Sequence, residues 1–210
     1  MNKMTKEEIC RKLDEIDYGT WCSKIARKNG WSYFSGACKE CFLIKGFPYA
    51  IKFVIPTDNE KWDEAAKETE IYQEAKKRGI ERIFLYTTYF YTNKAGINFY
   101  IQEKVTESSC GLSFSKSRRI RDKTEKTISL SEVDKIRNKM YNRPNDVYWL
   151  KRAYQIYGKK FMQKFAEMTQ DFGINDLHKG NTGYLNNRPV LLDFAGYHRE
   201  DDEQNCYYSS

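Results

Sequence analysis

The order of the β-favouring runs in the first hundred residues constrains this chain most. Two such runs, Tyr33 to Ile44 and Tyr49 to Ile55, precede a segment rich in helix formers over residues 60 to 78. Two more follow it, Ile83 to Thr92 and Asn98 to Val105. Turn signals separate the runs within each pair, Lys45-Gly46-Phe47-Pro48 in the first and Asn93 to Gly96 in the second. Strands joined by such short connections pair antiparallel, and the β, β, α, β, β order predicts an antiparallel sheet with one helix. Gly79 is placed to stop that helix. A short polar helix over residues 5 to 16 precedes the sheet.

Beyond residue 105 the pattern changes. Residues 107 to 127 are rich in Ser, Lys and Arg and read as a loop. Ser129 with Glu132 forms a capping-box pattern that opens a helix ending before Pro144. From Val147 to Thr169, Leu150, Ala153, Tyr154, Tyr157, Phe161, Phe165 and Met168 recur at helical spacing, with Gly173 as a stop. The expected fold class is α+β in two lobes, residues 1–105 carrying the sheet and 106–210 a reduced, mostly helical lobe.

With 40% hydrophobic and 15% aromatic residues, 210 residues suffice for a real core. The net charge of +7 favours phosphate-bearing partners. The basic cluster from Lys116 to Lys123 reads as a solvated face, and nucleic acid is not the expected partner. Cys38 and Cys41 form a single CxxC with no second half at zinc-binding spacing, so no metal or redox site is expected there. The six cysteines lack a disulfide framework and the N-terminus lacks a signal-peptide core; reduced thiols in the cytoplasm are expected. No run of 18 apolar residues is present, so no membrane partner is expected.

The chemistry-bearing residues cluster near the end. In INDLHKGNTGYLNNRPVLLDFAG, Asp176 and Asn181 stand five residues apart and Asp193 follows a strongly apolar run. In the first half, Ala50-Ile51-Lys52 lies in a strand that a helix follows. Asp176 and Asn181 have the spacing of the protein-kinase catalytic loop, Asp193-Phe194-Ala195-Gly196 resembles the Asp-Phe-Gly metal motif, and Ala50-Ile51-Lys52 resembles the strand-lysine motif. The chain thus resembles the protein-kinase-like superfamily over residues 30 to 196. Asp-Leu-His, two residues, then Asn is closer to the pattern of aminoglycoside and other small-molecule kinases.

The resemblance implies ATP and Mg²⁺. Lys52 would meet the phosphates, Asn181 and Asp193 would hold the metal, and Asp176 would orient or deprotonate the acceptor hydroxyl. A helix glutamate should hold Lys52. At about 100° per residue Glu68 lies about 60° from Ala65 and about 40° from Tyr72, whereas Glu70 lies about 140° from Ala65. Glu68 is the expected partner and Glu70 the reserve. Gln102, Glu103 and Val105 would border the adenine. No GxGxxG loop precedes Lys52; the turn at Ser35, Gly36 and Ala37 would offer backbone N–H groups to phosphate. Only 14 residues follow Gly196, and no peptide-substrate lobe is expected. The acceptor stays open between a small molecule, a partner protein and the chain's own CYYSS tail. The expected function is a phosphotransferase, with a pseudokinase that binds nucleotide or protein as the alternative.

Overall fold

The computed structural model describes residues 4–35, 39–54, 63–104, 129–141, 144, 146–178 and 180–195. The fold is α+β. The chain divides into two compact units, Met1–Gln73 with Leu85–Lys104 and Glu74–Phe84 with Val105–Ser210.

The first unit begins with helix α1 (Lys6–Leu13), whose N-terminus is capped by a capping box between Thr5 and Glu8, and helix α2 (Cys22–Asn29). Strands β1 (Ser32–Ser35), β2 (Glu40–Leu43) and β3 (Tyr49–Phe53) follow, then helix α3 (Glu64–Arg78), β4 (Thr87–Thr92) and β5 (Asn98–Glu103). The five strands form one antiparallel sheet in the order β1-β2-β3-β5-β4. Register gives the sheet two unlike faces. Phe42, Ile51, Phe53 and Phe99 join Ile9, Leu13, Ile16, Ile25 and Trp31 of the N-terminal segment in one core, with ring centroids 5.1 Å apart for Phe42–Phe53 and 4.8 Å for Phe53–Phe99. Because side chains alternate along a strand, the row Cys41, Lys52, Tyr100 and its neighbour Gln102 belong to the opposite face.

Three expectations are corrected here. The run from Tyr33 to Ile44 is two strands, β1 and β2, which reverse between Ser35 and Glu40. The run from Ile83 starts as a 3₁₀ turn, Glu81–Ile83, and becomes strand only at Thr87. Besides α1, which is the short helix expected within residues 5 to 16, and α3, the sheet is accompanied by the unexpected α2; it has no side-chain cap at Trp21, so its start carries no polar signal. As expected, α3 ends at Gly79, whose φ of 69° lets Gly79 N–H bond to Lys76 O and Ile80 N–H to Ala75 O. Residues 60 to 62 of that expected helix lie outside the described residues.

In the second unit, helices α4 (Leu130–Arg137), α5 (Val147–Tyr157) and α6 (Lys159–Asp171) precede the hairpin β6 (Thr182–Leu185) and β7 (Arg188–Leu191). The helix expected to open at Ser129 and to end before Pro144 is α4, which Ser129 caps and which ends at Arg137. The single helix expected from Val147 to Thr169 breaks at Gly158, whose φ of 82° and ψ of 168° are essentially open to glycine alone. Gly158 donates to Tyr154 O and accepts from Met162 N–H, so it closes α5 and opens α6. Phe84 anchors the hairpin side of this unit: its backbone bridges Leu191, and its ring lies 4.9 Å from Phe194 and 5.9 Å from Phe165. Among the described residues no helix is long and apolar enough to cross a membrane.

Asn93, at the β4–β5 turn, fastens the sheet to the N-terminal segment. Its buried amide donates to Leu13 O and Ile16 O and accepts from Ala95 N–H and Ile97 N–H. Asn93→Ala leaves these buried groups without partners and is expected to cost about 3 kcal/mol or more. Thermal unfolding followed by circular dichroism measures it; an unchanged midpoint refutes the role given to Asn93.

Candidate active site

The polar face of the sheet in the first unit is organised around Glu68, which is fully buried. The helical period brings Ala65, Glu68 and Ile71 of α3 inward, and Glu68 arrives where β3 and β5 carry Lys52 and Gln102. Lys52 Nζ lies 3.1 Å from both carboxylate oxygens, and Gln102 Nε2 donates to Oε2 at 3.3 Å and to Thr87 Oγ1 at 3.0 Å. Of the two glutamates considered for Lys52, Glu68 is the one it meets; Glu70 is 61% exposed and pairs with Lys67. Lys39, which no motif singles out, also reaches Glu68 Oε1 at 3.0 Å and Glu64 Oε2 at 3.1 Å. The signal for it is parity: Lys39 lies two residues before Cys41, the register partner of Lys52. Burial raises the Cys41 thiol pKa above its ordinary value, against the opposing pull of Lys52. Cys10, Cys22 and Cys41 are free thiols.

The expected adenine and phosphate contacts are distributed unevenly. The Gln102 side chain is buried against Glu68 and Thr87, which makes it an internal partner of the carboxylate. Glu103 N–H bonds to Tyr86 O. The Ser35 hydroxyl lies 3.4 Å from Glu40 Oε1 at the end of β1. Gly36, Ala37, Cys38 and Val105 lie outside the described residues, as do the basic cluster 116 to 123, Gly196 and the CYYSS tail.

The second unit builds its own polar cluster. Ile174 N–H bonds to Thr169 O at the end of α6, and buried Ile174 and Leu177 tie down a loop that presents Asp176 between them. Asn181 Nδ2 donates to Asp176 Oδ2 at 2.6 Å and to Asp176 O at 3.0 Å. That fixes the amide, so Asn181 Oδ1 points away from Asp176 as a hard acceptor. His178 Nδ1 accepts from Gly180 N–H at 2.9 Å, which leaves the neutral ring's proton on Nε2, 3.3 Å from Asp176 Oδ1. A Cβ at position 180 would meet the His178 ring at 2.7 Å, so glycine gives the ring its place. Thr182 Oγ1 donates to His178 O at 3.1 Å and lies 3.4 Å from Asp146 Oδ2, while Asp146 Oδ1 caps α5 at Trp149 N–H. Asn181 O accepts from Leu192 N–H at 2.9 Å, and Asp193 follows directly, ahead of buried Phe194 and Ala195.

No protein-family model matches the chain, and no curated protein is significantly similar to it.

Removing one partner from a buried ionic cluster strands the others, at about 3 to 5 kcal/mol. Glu68→Ala is expected to destabilise by that amount, whereas Glu70→Ala, at an exposed pair, is expected to cost less than about 1 kcal/mol. Urea unfolding followed by tryptophan fluorescence checks this. Equal shifts for the two variants would contradict the central place given to Glu68.

Proposed function

We propose that the chain is an ATP- and Mg²⁺-dependent phosphotransferase of the protein-kinase-like type, acting in the cytoplasm on a small-molecule or protein acceptor. The observation that carries the reading is the contact between Asp176 and Asn181. It orients a carboxylate for an acceptor hydroxyl and, through the same amide, turns a carbonyl oxygen outward for a cation. The donor set suits a hard ion: Asn181 and Asp193 offer oxygens, and Mg²⁺ is commonly held by one or two protein oxygens together with phosphates and water. Among the described residues no group of three or more His, Cys, Asp or Glu side chains is arranged to hold a metal, so the remaining ligands would come from the nucleotide and water. When bound, the ion neutralises the phosphate charge that develops during transfer.

The residues then divide the work. Lys52, held by Glu68, neutralises phosphate oxygens. Asp176 accepts the hydrogen bond of the acceptor hydroxyl and takes its proton as the new O–P bond forms; the bond from the γ-phosphorus to the bridging oxygen breaks and ADP leaves. His178 and Asn181 hold the Asp176 carboxylate from either side, which limits its rotation.

Lys52→Ala and Asp193→Ala are each expected to weaken Mg-ATP binding measured by calorimetry. Asp176→Asn is expected to leave that affinity in place and to lower transfer of radiolabelled phosphate by about 10² to 10⁴. Binding without transfer to any small-molecule, protein or CYYSS acceptor would favour the nucleotide-binding pseudokinase. Absence of Mg-ATP binding by the parent chain would refute the reading.

A further inference from the structure

We propose that Lys39 is a second phosphate-binding cation, forming with Lys52 a two-ammonium clamp for the polyphosphate chain of a nucleotide; this rests on the nucleotide reading above. Both ammonium nitrogens lie within 3.1 Å of one oxygen, Glu68 Oε1, with Lys39 only 9% and Lys52 12% exposed. Two ammonium groups face two carboxylates, yet both meet on one oxygen of Glu68, while Glu64 reaches Lys39. Crowding two cations onto one oxygen opposes their mutual repulsion, which Glu64 offsets on the Lys39 side.

Such a cluster is a poor route to stability, because withdrawing several charges from water costs as much as their pairing returns. It is a good route to an anion site. An ammonium has three donors and can hold a carboxylate and a phosphate oxygen together. Two ammonium groups kept side by side by one shared carboxylate match an anion whose charge is spread over successive phosphates. The position of Lys39 supports the same conclusion. It is separated from Ser35 by residues 36 to 38, whose sequence offers one glycine where a phosphate loop would carry several, and its parity with Cys41 gives it the sheet face of Lys52. A charged side chain at that position supplies a phosphate contact that so glycine-poor a stretch of sequence does not.

Calorimetry of the full chain with Mg-ATP and with inorganic tripolyphosphate tests the clamp in the parent, Lys39→Gln, Lys39→Arg and the double variant Lys39→Gln/Glu64→Gln. Loss of one charge-assisted contact is expected to weaken both probes about 10- to 100-fold in Lys39→Gln, with Lys39→Arg close to the parent. The double variant restores the local charge balance; it is expected to stay weak, because the phosphate contact is still missing. Recovery of affinity in the double variant would overturn the clamp by showing that Lys39 serves only to balance Glu64. Parent-like ATP and tripolyphosphate binding by Lys39→Gln would also overturn it, while leaving the nucleotide reading intact. Binding of tripolyphosphate but not ATP by the parent, lost in Lys39→Gln, would uphold the clamp and remove the nucleotide reading. Binding of neither probe by the parent would overturn both.

Discussion

A carboxylate that water cannot reach must find its counter-charges and hydrogen bonds within the fold, and in the first unit that carboxylate is Glu68. It receives Lys52 from β3, Lys39 from the residue before β2 and Gln102 from β5, so one helix side chain is tied to the sheet at three separate places. The opposite face is held differently. There Phe42, Ile51, Phe53 and Phe99 pack with the N-terminal helices by apolar contact, the Asn93 amide adds hydrogen bonds to Leu13 O and Ile16 O, and a shift of register would disturb both faces at once. The sheet is therefore fixed from one side by packing around one buried amide and from the other by charge.

The sequence conveys this arrangement in part. Helix periodicity distinguishes Glu68 from Glu70 because a buried arc leaves a position only about 40° from Tyr72 facing inward. Strands β3 and β5 are legible because clear turn signals flank them. The division between β1 and β2 is hidden, since β-favouring residues stand on both sides of the reversal and only Gly36 marks it. The break at Gly158 is hidden for the opposite reason: Tyr157 and Phe161 keep helical spacing across it, and their rings stack 4.4 Å apart even though the backbone is interrupted. Lys39 could not be singled out before the register was known, because a lysine near a strand ordinarily faces solvent.

In the second unit the polar residues are held by backbone as much as by side chains. Asp146 caps α5 and meets Thr182, Thr182 meets the carbonyl of His178, and His178 and Asn181 both turn to Asp176. Little of this chain of contacts is visible as a motif. Sequence spacing identified Asp176 and Asn181; the loop's closure by Thr182 and Gly180 depends on neighbours that are generic polar or small residues.

The β6–β7 hairpin between these elements acts as a gauge. Its tip, Asn186 and Asn187, adopts left-handed φ values of 51° and 63°, the tight two-residue turn that matches the twist of paired strands. Because Leu192 N–H is bonded to Asn181 O, the distance along the chain from Asn181 to Asp193 is metered by the ladder itself. Adding or removing one residue in either strand would slide Asp193 by about 3.3 Å and reverse the face toward which it projects. The exposed tip can therefore change its letters freely within turn-forming residues, while the number of residues between Asn181 and Asp193 cannot change without moving Asp193.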